Sequence, residues 1–143
     1  MKALTVKQPF AWAIIFGGKS IENRSTAWTY RGPLAIHAGA LEDRDGWEDD
    51  RVTDAWMNAT AWQADAIHTR SAVIGFVDLV DVHHDTGCCR PWGDSAPTEG
   101  GGRARHNRTH LVLDNVVILD QPIPCTGAQG LWTPPTHVQE AMG

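Results

Sequence analysis

The sequence predicts a mixed α+β domain built around a small barrel-like sheet of about five to six strands with flanking helices. Three observations carry that expectation. Short apolar runs with strand-like alternation recur along the chain. Two stretches carry helical spacing between them. The composition is 42% apolar and 20% charged over 143 residues, which suits a globular chain and excludes wholesale disorder and collagen-like repeats. Length points to one domain, residues 1–143, because two would each fall near the lower size limit.

Lys2–Thr5 reads as a first strand. Pro9 opens a helix, Phe10, Ala11, Ala13, Ile14 and Ile15 carry it, and Gly17-Gly18 stops it. Ser20–Asn23 is a short extended segment. Arg31-Gly32-Pro33 turns the chain into the strand Leu34–Ala38. Residues 41–66 are expected to form a helix with a core-facing stripe of Val52, Trp56, Ala59, Gln63 and Ala66. Ala72–Val82 is apolar on both faces, which predicts a central, buried strand. A loop of about 84–109 follows, and Gly100-Gly101-Gly102 predicts that it is mobile. His110–Leu113 and Asn115–Leu119 read as paired or continuous strands until Pro122 and Pro124 break the pattern. Gly130–Trp132 is a last short strand and Pro135–Met142 a terminal helical turn.

The net charge of −5 hides an asymmetry. Eight acids and two bases lie between Glu42 and Asp65, so the rest of the chain sums to +1. An acidic total therefore does not exclude a polyanionic partner. Lys2, Lys7, Lys19, Arg24 and Arg31 cluster near the start, and Arg103, Arg105 and Arg108 form a second basic group. No apolar run approaches the ~20 residues that span a bilayer, and the first residues lack a signal-peptide core, so no membrane partner and a cytoplasmic location are expected.

Gly17–Arg24 places Lys19, Glu22 and Arg24 within six positions after a glycine break. Strand alternation alone would point Lys19 away from Glu22 and Arg24, so a bend at the glycines is needed to unite them. United, Lys19 and Arg24 suit a phosphate while Glu22 orients them or accepts from a base. Lys7 and Gln8 sit just before a helix start, where anions are attracted and Gln8 can read polar edges. Trp12, Trp28, Trp92 and Trp132 are candidates for stacking on a base. His83, His84, Cys88, Cys89, His106 and His110 carry zinc-ligand chemistry. The adjacent Cys88-Cys89 pair departs from the usual C-x₂₋₄-C spacing, so no metal and no cofactor are expected. A Cys88 or Cys89 nucleophile beside a His is a further, nonspecific possibility.

Thr5-Val6-Lys7-Gln8-Pro9-Phe10-Ala11, the G-x-K-x-x-E-x-R run from Gly17 to Arg24, Tyr30–Ala38, and Pro122–Trp132 together resemble the ASCH domain, a branch of the PUA-like superfamily. The resemblance runs from residue 3 to about 132. It implies a PUA-like β-barrel with a cleft where the first helix, the Lys19–Arg24 segment and the closing strand meet. It also implies binding of nucleic acid, RNA before DNA, or of a modified nucleoside. Some branches look like ribonucleases or amidohydrolases of acylated cytidine, and Lys19 matches the lysine important there. In the amidohydrolase branch a threonine stands three residues after that lysine, where this sequence has Glu22.

Two functions follow as expectations. The first is a binding module whose ligand is held by Lys7, Gln8, Lys19, Glu22, Arg24, Arg31, Gln129 and Trp132. The second is a small hydrolase in which Lys19 polarises the bond and Glu22 activates water. A protein-interaction role for the acidic stretch from Glu42 to Asp54 stands third. Oligomeric state is left open.

Overall fold

A computed structural model describes residues 1–94 and 108–142. Its elements in chain order are β1 (Lys2–Gln8), α1 (Phe10–Phe16), β2 (Ile21–Arg24), β3 (Gly32–Glu42), α2 (Arg44–Trp47), α3 (Asp50–Met57), α4 (Ala61–Asp65), a 3₁₀ turn (Ala66–His68), β4 (Ala72–His84), β5 (Thr109–Pro124), β6 (Leu131–Trp132) and α5 (Thr136–Ala141). The expected mixed α+β architecture is what the chain adopts. The strands form one curled sheet, in the order β2-β5-β4-β3-β1-β6, which makes a half-barrel flanked by the helices, as the expected small barrel required.

β1 and β3 run parallel, with Leu4 opposite Ile36 and Thr5 opposite His37; the other pairings are antiparallel. β4 lies between β3 and β5, as its two apolar faces predicted, and residues 72–77 are buried without a break. Register shifts farther along β4 turn Val80 outward to 48% exposure, against the expected alternation. α1 lays Ala11, Ile14 and Ile15 into the half-barrel beside Leu4, Leu34, Ile36 and Leu111. Its other buried face, Trp12 and Ala13, meets Val52, Ile67 and Trp92.

Four expectations about elements are corrected. Residues 41–66 are not one helix. Leu41 and Glu42 finish β3, and the remainder breaks into three short helices and a 3₁₀ turn. The cause is local: the Asp43, Asp49 and Thr60 side chains each accept backbone N–H groups and restart the helix. The stripe fails with it, since Val52 is buried but Trp56 is 43% exposed. The proline-containing 122–124 segment does not end a strand early. β5 is continuous to Pro124, with Asn115 in a left-handed conformation (φ 53°) where the ladder slips.

The third correction concerns the loop's first part. β4 reaches His84, and residues 85–94 pack in turns that bury Trp92. The expected mobility around Gly100–Gly102, together with Arg103, Arg105 and His106, lies outside the described residues. Fourth, β1 and β3 run farther than expected, to Gln8 and to Glu42. No described helix is long and apolar enough to cross a membrane.

Candidate functional site

A cleft of about 1150 Å³ opens beside α1, between the β1–β3 pair, β2 and the 124–130 segment. Its floor is an ion-pair network that depends on one glycine. After α1, Gly17 and Lys19 both donate their backbone N–H to Ala13 O, and Gly18 adopts φ +73°. That left-handed turn is the bend the charge pattern required. It leaves Lys19 outside the regular strand, so its side chain folds back along β2.

Lys19 Nζ donates to Ile21 O and, at 3.0 Å, to Glu22 Oε1. Arg24 Nε donates to Glu22 Oε2 at 3.0 Å, and Arg24 Nη2 to Thr5 O at 2.7 Å. Lys19 and Glu22 are buried, at 3% and 7% exposure, while Arg24 opens toward the cleft. Burial pushes the Glu22 carboxyl up, but the charges and hydrogen bonds of Lys19 and Arg24 outweigh it, so its pKa falls below the ordinary value. The carboxylate therefore stays ionised at neutral pH. Two of the three Lys19 ammonium protons are used, and the Phe10 ring centroid lies 5.5 Å from Nζ.

A second layer sits beside this floor. Thr5 Oγ1 donates to His37 Nδ1 at 3.2 Å and accepts from Trp132 Nε1 at 3.1 Å; His37 Nε2 donates to Cys125 O at 2.8 Å. These bonds fix the wall formed by residues 125–130. Gly127 comes so close that a Cβ there would lie 2.6 Å from Thr5 Oγ1 and 2.7 Å from His37 Cε1. Gly127→Ala is therefore expected to displace the wall and cost about 1–3 kcal/mol. A denaturant melt unchanged within error would contradict that close approach.

Lys7, Lys19, Glu22, Arg24 and Gln129 line the cleft. The other three residues expected there do not. Gln8 is fully buried: its Oε1 accepts from Trp12 N at 2.8 Å and its Nε2 donates to Thr69 O at 3.1 Å. It satisfies a free donor of the first turn of α1, and its burial keeps it out of the cleft. Arg31 turns away to the carbonyls of Trp28 and Tyr30. Trp132 stands behind the wall, edge-on to His37 at 5.5 Å. Of the stacking candidates, Trp12 is wholly core and Trp92 is buried behind the floor, its ring centroid 6.0 Å from Lys19 Nζ. Trp28 lines the cleft, as does Phe10.

Sequence reading missed Thr5, Asp43, Arg51 and Asp94 at the cleft. Asp43, Arg51 and Asp94 arrive from separate segments and no local motif marks them, while Thr5 lay inside a quoted motif without an assigned part. His37 and Gly127 lay inside quoted motifs but carried no assigned part. The bases and acids nearly balance: Lys7, Lys19, Arg24 and Arg51 face Glu22, Asp43 and Asp94.

The curled sheet, its flanking helices and the cleft beside α1 define an α+β half-barrel domain. Among solved structures, ASCH from Zymomonas mobilis superposes with a TM-score of 0.59 at 17% identity, over 99% of this chain and 92% of that one. A mutant form of the same Zymomonas mobilis protein gives a TM-score of 0.56 at 15% identity, over 99% and 95%. At these identities the likeness is one of fold. No protein-family model matches the chain, and no curated protein matches it in sequence.

Proposed function

We propose that this protein is a cytoplasmic recognition module whose cleft binds RNA, ahead of DNA, or a modified nucleoside. The observation that carries the reading is the Lys19–Glu22–Arg24 network at the floor of an open cleft with aromatic sides. Lys19 and Arg24 offer charge-assisted donors, which suit a phosphate or the carbonyl edge of a base. Trp28 and Phe10 offer ring faces, and Gln129 a donor and an acceptor. The near balance of charge favours one nucleotide unit seated in the cleft over a long polyphosphate track.

Hydrolysis at the same site is the weaker reading. A general base works best with a pKa near the operating pH. Glu22 is tied to two cations and held below its ordinary value, so it is a poor proton acceptor. Its chemistry suits orienting Lys19 and Arg24.

Single-stranded RNA, duplex DNA and acylated nucleosides test the proposal against wild type and Lys19→Gln. Fluorescence anisotropy should show RNA binding that weakens with salt, by roughly one log unit per log unit of salt for each phosphate contacted. Lys19→Gln should weaken it about 10- to 100-fold, as expected for losing one charge-assisted bond of roughly 1.5–3 kcal/mol. Equal affinity in the two proteins would sink the proposal. Chromatographic detection of product from wild type alone would restore the hydrolase reading.

A further inference from the structure

A second cluster lies at the far end of the β4–β5 hairpin. The register of that hairpin sets His83 directly opposite His110. The chain between them folds back, and Cys88 and Cys89 meet both rings. Cys88 Sγ lies 3.4 Å from His83 Nε2 and 3.6 Å from His110 Nδ1; Cys89 Sγ lies 3.3 Å from His83 Nε2. One donor atom from each of the four residues falls within 4.8 Å of the other three. A tetrahedral ion with Zn–S about 2.3 Å and Zn–N about 2.05 Å needs S···N separations of about 3.6 Å.

The rings are already set for coordination. His83 Nδ1 donates to Asp81 Oδ2 at 2.7 Å, which leaves Nε2 with its lone pair toward the sulfurs. His110 Nε2 donates to Asp94 O at 2.9 Å, with Asp85 Oδ1 at 3.7 Å, which leaves Nδ1 toward Cys88. Metal-binding histidines commonly carry an oxygen acceptor of this kind on the ring nitrogen away from the ion. The adjacent cysteines, whose spacing argued against a metal, converge because Cys89 adopts φ +66° and Gly87 φ +81°. Gly93 lets the segment close: a Cβ there would stand 2.8 Å from Cys89 Cβ and 2.9 Å from His110 Cε1.

We propose that His83, Cys88, Cys89 and His110 hold one zinc-class divalent cation in a tetrahedral S₂N₂ site. Soft sulfur with imidazole selects such an ion over magnesium or calcium. Binding exchanges the two thiol protons for the cation, and the two thiolates neutralise its charge. The ion fastens residues 85–94 to the sheet. Asp94 N donates to Asn23 Oδ1 and Asn23 Nδ2 to Trp92 O, so the fastened segment is also bonded to β2, next to Glu22. The site is structural and supports one edge of the cleft.

Cobalt titration of the full-length reduced protein tests this directly. The expected result is saturation at one equivalent, with thiolate-to-cobalt charge-transfer absorption and the strong visible bands of a tetrahedral ion; zinc should displace the cobalt. Cys88→Ser and Cys89→Ser should each remove the charge-transfer intensity of one thiolate, and Cys125→Ser should keep both. Asp81→Ala should weaken binding about 10- to 100-fold while leaving the tetrahedral bands in place. Wild type that takes up no cobalt, or gives only the weak bands of an octahedral ion, overturns the proposal without reliance on any variant's folding. Loss of the signal in Cys125→Ser alone overturns it too.

Discussion

Glu22→Ala is expected to destabilise the fold by about 3–5 kcal/mol, a large fraction of a domain's net stability. Removing the carboxylate leaves the buried Lys19 ammonium with Ile21 O as its remaining hydrogen-bond acceptor. Arg24 is affected less, because it is partly exposed and keeps Thr5 O. Chemical denaturation of the variant should show a lower midpoint with a similar slope. Acid unfolding supplies an independent readout. The folded-state pKa of Glu22 is lowered from 4.5, so its pairing stabilises fully above that value and the contribution is lost as pH falls below it. Glu22→Gln keeps the shape without the titration. The loss of wild-type stability on moving below pH 4.5 should therefore be steeper than that of the Gln variant. Parallel acid limbs in the two proteins would refute the ion-pair account of this floor.

Trp12→Ala is expected to cost about 3–5 kcal/mol as well, for a different reason. Trp12 is fully buried, lies 6.1 Å from Phe16 between ring centroids, and donates Nε1 to Gln63 O at 2.7 Å. Its removal opens a cavity between α1 and the short helices and takes one donor from Gln63 O, which keeps the Ala66 N–H. Trp28→Ala provides the contrast, since Trp28 lines the cleft and is only half-buried. That variant should lose RNA affinity, by roughly 1–3 kcal/mol if a base stacks there, with a smaller stability change than Trp12→Ala. Calorimetric melts and anisotropy on both variants separate the two parts. A Trp12→Ala protein that melts like wild type would place the ring outside the core.

Some of the architecture was legible because its causes are local. The helix at Phe10–Phe16 follows from Pro9 and the glycine pair, and the central place of β4 from apolar residues on both faces. Spacing alone set Lys19 apart from Glu22 and Arg24, and the bend needed to unite them is the one Gly18 makes. The 41–66 region was misread for an equally physical reason. One helix was read over residues 41–66 from spacing between Val52 and Ala66, while Asp43, Asp49 and Thr60 each capped a new helix start. Gln8 and Trp12 carry binding chemistry by residue type, and their burial turned that chemistry into packing.

What the sequence by itself determined, then, is the mixed α+β class, the order of most strands and the charged segment that forms the cleft floor. Those depend on periodicity, glycine turns and short-range alternation, which a linear reading contains. Only the tertiary structure decided which residues face the cleft and which support it. It brought Thr5, His37 and Gly127 into contact across the parallel β1–β3 pair, and it set His83 against His110 across the β4–β5 register. Neither meeting is written in local spacing, because strand partners far apart in sequence are chosen by the burial of the whole sheet.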